Sequence, residues 1–209
     1  MSNIILHDYW RSTASYRVRI ALNLAGLAYE SRSVDLVAGE QKSDAHVALN
    51  PQGFVPVLEI DGLQLTQSLA IIEYLHETRA LELLPDAPAD RARVRALAQI
   101  IACDIHPVCN LSVAAFAIRH SSDPDADRLT WMQHFIRRGL EALNTQLENS
   151  SSGPFIDGDK LSLADICLIP QLYNARRWSS PYEDLTTLCA VESACSNLKA
   201  FQDAAPTKP

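Results

Sequence analysis

Long apolar runs are missing from this 209-residue chain, and no stretch approaches the ~20 residues needed to cross a bilayer. A basic tail or stripe is missing too. Residues 1–80 carry 6 basic and 9 acidic groups and residues 81–209 carry 12 and 16, so the net charge of −7 is shared by both halves. That balance argues against nucleic acid as a partner. There is no C-x-x-C, and the five cysteines (Cys103, Cys109, Cys167, Cys189, Cys195) are odd in number. They fit reduced, mostly buried thiols of a cytoplasmic protein better than a disulfide framework or a redox pair. The six histidines are scattered without metal-ligand spacing, so no metal is expected. Met1-Ser2-Asn3 runs straight into a strand-like segment, without the charged region and apolar core of a secretory signal. There is no internal repeat.

What remains is an ordinary globular composition, 47% hydrophobic and 21% charged, long enough for one large domain or two small ones. The two halves read differently. Residues 4–9 read as a strand. Val18, Ala21, Leu22 and Ala25 then fall at helical spacing, with Gly26 placed to end the helix. Residues 29–36 suggest a second, less cleanly patterned strand. Residues 57–60 and 63–66 flank Asp61-Gly62, a strong two-residue hairpin turn, and Leu69, Ile72 and Leu75 mark another helix ending near Arg79. This order predicts an α/β domain on a four-stranded sheet over residues 1–80. Pro85 and Pro88 mark a linker over residues 81–89. Strand signals then stop, and residues 90–209 predict an all-α domain. Its helical stretches cover 90–119 and 127–148, with breaks at 121–124 and 149–153, a helix from Ser162 and two short closing helices. Ser162-Leu163-Ala164-Asp165 fits a capping box with Asp in place of Glu or Gln.

Three hydroxyls, Ser12, Thr13 and Ser15, cluster where the first strand gives way to the first helix, flanked by arginines and free of carboxylates. A helix N-terminus offers unpaired N–H groups and the positive end of the dipole, a ready place for a small anion. Taken alone, N-capping is the better account of these hydroxyls, and the rest of the chain has to outweigh it. In Phe54-Val55-Pro56-Val57 a proline precedes a strand and holds Val55 extended. Were the Val55-Pro56 bond cis, the Val55 backbone would be turned outward as an exposed donor and acceptor pair. Gln67-Ser68 opens the next helix and offers a second anion-friendly N-terminus, or again a cap.

In sequence order these features resemble the soluble glutathione transferases, and in detail their zeta class. The run Arg11-Ser12-Thr13-Ala14-Ser15-Tyr16-Arg17-Val18-Arg19-Ile20-Ala21-Leu22 looks like the class signature. Asn50-Pro51 with Val55-Pro56, Gln67-Ser68-Leu69-Ala70-Ile71-Ile72-Glu73-Tyr74-Leu75, and Ala164-Asp165 with Pro170-Gln171 are similar too. The resemblance implies a thioredoxin-like N-terminal domain with a mixed four-stranded sheet, an all-α C-terminal domain, glutathione as cofactor and a homodimer. It implies that Ser12 faces the glutathione sulfur, supported by Thr13. The Val55 backbone beside Pro56 would pair with the cysteinyl part, Gln67 and Ser68 would hold the γ-glutamyl carboxylate, and Gln41 the glycyl end. His106, Asn110 and Ser112 would complete the site from the helical half. Asp104 would reach the γ-glutamyl amine of a neighbouring subunit.

The implied reaction is the cis–trans isomerisation of a maleyl keto acid by reversible addition of the glutathione thiolate to the cis double bond. A free thiol of pKa ~8.5 is only about 3% ionised at pH 7, and lowering that by two units makes it roughly three-quarters ionised. A hydrogen bond from Ser12 and the helix dipole are the expected source. A dicarboxylate substrate needs cations: Arg11 stands beside the thiol site, and Arg177 matches the class's substrate-binding arginine. Tyr9 is a rival donor to sulfur, and with Trp10 more naturally a pocket wall. Arg19 and Arg176 read as helix-surface charge, and Arg17 as undecided, with an internal ion pair as one possibility. Two departures stand out. Ala14 replaces the usual cysteine of the class, and Ser112 stands where a maleylpyruvate-type site would carry arginine, which favours maleylacetoacetate. General conjugation of glutathione to electrophiles and a non-catalytic dimeric module are the competing readings.

Overall fold

Strand β1 (Ile5–Asp8) runs into helix α1 (Thr13–Leu24), which Ser12 caps: its side chain accepts the Ser15 N–H. The computed structural model to which these elements belong describes residues 4–148 and 153–208. Met1-Ser2-Asn3 and most of the expected break at 149–153 lie outside them. At the far end of α1, Gly26 takes φ +64°, and its N–H and that of Leu27 bond back to the carbonyls of Asn23 and Leu22. That paired closure is the Schellman ending a glycine permits. Strand β2 (Glu30–Ser33), a short helix α2 (Asp44–Leu49), strands β3 (Val57–Ile60) and β4 (Leu63–Thr66), and helix α3 (Ser68–Thr78) follow. The sheet order is β2-β1-β3-β4, with β1 parallel to β2 and antiparallel to β3, so the four-stranded sheet is mixed.

Burial explains why β2 was hard to read. Leu6, Val57 and Leu58 sit in the central strands and are fully buried, whereas all four residues of the edge strand β2 are exposed. An edge strand of charged and polar residues carries no apolar alternation to read. The hairpin turn behaves as expected: Asp61 and Gly62 both have positive φ, +54° and +77°, which the two central residues of a type I′ turn require.

Helix α4 (Pro88–Gln99) opens the helical half and passes into a π-helical stretch over Ile100–Ile105. After a turn through Pro107 comes α5 (Leu111–Ala117), then α6 (Pro124–Glu148), α7 (Leu163–Arg177), α8 (Thr186–Ser196) and α9 (Lys199–Ala204). The expected continuous helix over 90–119 is therefore divided. Pro107 cannot supply the N–H a helix needs, and Asn110 starts a new one by accepting the Ser112 N–H at 2.9 Å. At α7 the capping box is present: Asp165 accepts from the N–H and the hydroxyl of Ser162 and from the Ile156 N–H. Burial pushes its carboxyl up to about 6, against the opposing pull of those donors. Among the described residues no helix is long and apolar enough to cross a membrane.

The chain divides into two compact units. One runs to Leu81 and takes in the residues from Leu198 onward; the other is Glu82–Asn197. An all-α domain reaching residue 209 is thus not what the structure shows at its end. Helix α9 belongs with the first unit because α1 holds it: Arg19 donates to the Ala204 carbonyl at 2.9 Å, Asn23 to the Ala200 carbonyl at 3.0 Å, and Phe201 is buried.

Candidate active site

In the first unit the loop between β1 and α1 is tied down from behind. Arg19 is buried, not on the surface as its sequence position suggested. Its Nη1 donates to both Asp8 carboxylate oxygens at 2.9 and 2.7 Å, and its Nη2 to the Trp10 carbonyl at 3.0 Å. This buried ion pair, with one guanidinium nitrogen shared by both carboxylate oxygens, locks the end of β1 to α1 and fixes the segment that carries Tyr9, Trp10, Arg11 and Ser12. The Arg11 guanidinium lies 5.5 Å from the Tyr9 ring centre and 5.6 Å from that of Trp10, a stacked cation with no carboxylate partner among the described residues. Ser12 Oγ accepts the Ser15 N–H at 3.2 Å, and Ser12 N–H is satisfied by the Tyr9 carbonyl at 2.8 Å. The cap engages only the oxygen's acceptor side. The hydroxyl hydrogen stays available as a donor at a helix start whose first turn holds no acid. Thr13 and Ala14 are buried beside it.

The Val55-Pro56 bond is cis, and among the described residues the Val55 main chain makes no hydrogen bond. The preceding carbonyl is clamped: His46 Nε2 lies 3.0 Å and Asn50 Nδ2 2.9 Å from Phe54 O. Gln67, at φ +67°, leads into Ser68 at the first position of α3, and its Nε2 donates to Gln52 Oε1 at 2.9 Å. Gln41 has a buried Oε1 with no hydrogen-bond partner. Its main-chain oxygen would lie 3.0 Å from a Cβ placed on Gly53, whose φ is +65°. Gln41, Gly53, Gln52 and Gln67 thus form a connected run around the loop before the cis-proline.

In the second unit His106 is half-buried at the end of the π-helical stretch, and Asp104 is exposed. Asn110 Oδ1 also accepts the Ser112 hydroxyl at 2.8 Å, which leaves the Asn110 amide hydrogens to donate elsewhere. The Arg177 guanidinium lies 4.9 Å from the Trp178 ring centre and bonds Asn174 Oδ1 at 3.5 Å. Arg176 is exposed and pairs with Glu192, as a surface charge would. A groove of about 520 Å³ lined by Ile118, Trp131, His134 and Phe135 holds none of the expected site residues. Burial holds the Cys109 thiol up at about 12, so that residue offers no ready thiolate.

The glutathione S-transferase N-terminal domain family matches residues 2–77, and the C-terminal domain family of the same enzymes matches residues 130–203. A maleylacetoacetate isomerase of Rhizobium meliloti (strain 1021) is 54% identical over 205 residues, 98% of this chain and 96% of the relative. The chain belongs to the zeta-class glutathione transferases.

The solved structures agree. The holo form of a maleylpyruvate isomerase, a bacterial zeta-class transferase, superposes with a TM-score of 0.93 at 40% identity, over 97% of this chain and 96% of that one. The maleylacetoacetate isomerase of Anaeromyxobacter dehalogenans 2CP-1, with dicarboxyethyl glutathione and citrate in its active site, gives 0.86 at 44% identity over 98% and 94%. The fold of this transferase is accordingly a thioredoxin-like domain with a mixed sheet plus a helical domain. The sequence placed Arg19 on the surface and so hid its pair with Asp8, and it offered no reading of the His46 clamp on Phe54 or of Gln52. The Asn50-Pro51 motif was the one available signal for that clamp.

Proposed function

We propose that this transferase is a glutathione-dependent cis–trans isomerase of a maleyl keto acid, converting 4-maleylacetoacetate to 4-fumarylacetoacetate. The observation that carries the reading is the donor state of Ser12: its oxygen is engaged by the Ser15 N–H at 3.2 Å while its hydrogen remains to be given. The first unit suits a tripeptide. The unbonded Val55 main chain fits the cysteinyl backbone, Gln67 and Ser68 fit the γ-glutamyl carboxylate, and the unpartnered Gln41 oxygen fits an N–H near the glycyl end. Bound glutathione supplies a thiolate that adds to the cis double bond and leaves once the bond has rotated. Ser12 donates toward the sulfur, supported by Thr13, and the N-terminus of α1 favours negative charge there. Arg11, stacked on Tyr9 and Trp10, presents a cation for one substrate carboxylate, with Tyr9 as wall and Arg177 as a second anchor. His106, Asn110 and Ser112 are read as further glutathione-facing groups. The protein acts as a cytoplasmic homodimer in which Asp104 reaches the neighbouring subunit's γ-glutamyl amine.

Relatives that carry either isomerase name support the reading, and so does the dicarboxyethyl glutathione bound to one of them. The decisive assay mixes the protein and glutathione with maleylacetone or with maleylpyruvate. Loss of the cis absorbance without loss of thiol, faster for maleylacetone, is expected. Stoichiometric thiol consumption would identify a conjugating transferase instead, and preference for maleylpyruvate would reassign the substrate.

A further inference from the structure

Arg17 sits on the α1 face that packs against α3 and is only 1% exposed. Its Nη1 lies 3.3 Å from Ser68 Oγ. A guanidinium carries five N–H donors and no acceptor, so in this bond the serine oxygen must accept. The Ser68 hydroxyl hydrogen therefore points away from Arg17 and is free to serve another acceptor. Ser68 is the first residue of an eleven-residue helix, and Gln67 before it stands at φ +67° and ψ 109°, which a residue with a side chain rarely adopts. The start of α3 is thus held by its surroundings rather than by local preference. Packing alone does not require a cation here, because burying a charge costs far more than burying an aliphatic chain of similar length.

We infer that Arg17 is a positioning residue for the cofactor, acting through Ser68. By occupying the acceptor side of Ser68 it commits the hydroxyl to donate to the α-carboxylate of the γ-glutamyl group, and so it sets the affinity for peptides that bear that carboxylate. Without it the hydroxyl can rotate and spend its hydrogen on nearby backbone carbonyls, as serine does at helix ends. This rests on the glutathione-binding reading given above, and assigns to that site a buried residue that acts one bond behind the ligand-facing serine.

The test compares dissociation constants for glutathione and for 4-aminobutyryl-cysteinyl-glycine, the same peptide without the α-carboxylate. Calorimetry is run on the wild type, Arg17→Met, Arg17→Lys, Ser68→Ala and the Arg17→Met/Ser68→Ala double variant. Arg17→Met is expected to weaken glutathione roughly tenfold, the size of one charge-assisted hydrogen bond, and the truncated peptide less than about twofold. The double variant should bind glutathione within about twofold of Ser68→Ala alone, since both remove one interaction. Arg17→Lys, which can still donate, should recover part of the loss. In turnover the glutathione KM should rise while kcat at saturating glutathione stays within about twofold. Equal weakening of both peptides, or losses that multiply in the double variant, would make Arg17 a packing residue and overturn the inference. Should Arg17→Met not fold, Arg17→Lys alone and with Ser68→Ala carries the same comparison. A wild type that takes up no glutathione overturns the proposed function itself, and this inference with it.

Discussion

At Ser12 a single oxygen serves structure and chemistry together. The N-cap bond to Ser15 uses a lone pair, and the hydrogen is left for a ligand. Capping and catalysis, which read as rivals in the sequence, are compatible once the direction of the bond is known. Arg19 teaches the opposite lesson. Every residue of α1 from Thr13 to Leu22 is buried, so the helix has no solvent face from which to recognise a surface arginine. Helical periodicity could not reveal that Arg19 turns inward onto Asp8. Replacing it by Met leaves Asp8 buried without its cation. Arg19→Met is expected to lower stability by about 3–5 kcal/mol in urea unfolding. Adding Asp8→Leu should recover most of that, since both charges are then gone. If the double variant is no more stable than the single one, the cost lies elsewhere, in the lost bonds to the Trp10 and Ala204 carbonyls.

At the scale of elements, turn and cap chemistry was legible because it acts over a few residues. Asp61-Gly62, Gly26 and Ser162 with Asp165 each do what their residue types dictate. The π-helical stretch over Ile100–Ile105 was not legible, because an inserted residue leaves the surrounding apolar spacing nearly helical. Its partner is Gly139 in the middle of α6. A Cβ added there would lie 2.3 Å from Ile105 Cγ1, so the glycine makes room for Ile105 at the end of that stretch, next to His106. Intrinsic helix propensity favours Gly139→Ala by about 1 kcal/mol, whereas overpacking of a filled core costs about 1–3 kcal/mol. The contact should win, with Gly139→Ala lowering the unfolding midpoint. A midpoint that rises would mean Ile105 can move aside and that the close approach is not required.

For the whole molecule, the resemblance carried in the sequence extended to nearly the full chain, and with it the two-part fold. What it did not convey was the destination of the last helix. Residues 199–204 form a short helix with no turn chemistry linking it to either unit, and long-range contacts with α1, the bonds from Tyr16, Arg19 and Asn23 and the buried Phe201, assign it to the first. Deleting residues 198–209 should therefore destabilise the glutathione-binding unit. Proteolysis in increasing urea is expected to expose sites in residues 4–81 before those in residues 82–197. The reverse order would place the helix's contribution in the second unit.

The account depends most on the state of one sulfur. Ultraviolet absorbance of the thiolate, titrated on the glutathione complex, measures it directly in wild type and in Ser12→Ala. The wild-type complex should titrate about two units below the ~8.5 of a free thiol, and Ser12→Ala should return it most of the way while costing about 1 kcal/mol of stability for the lost cap. A bound thiol that titrates like free glutathione, or a depressed value that survives the loss of the Ser12 hydroxyl, would contradict the central claim.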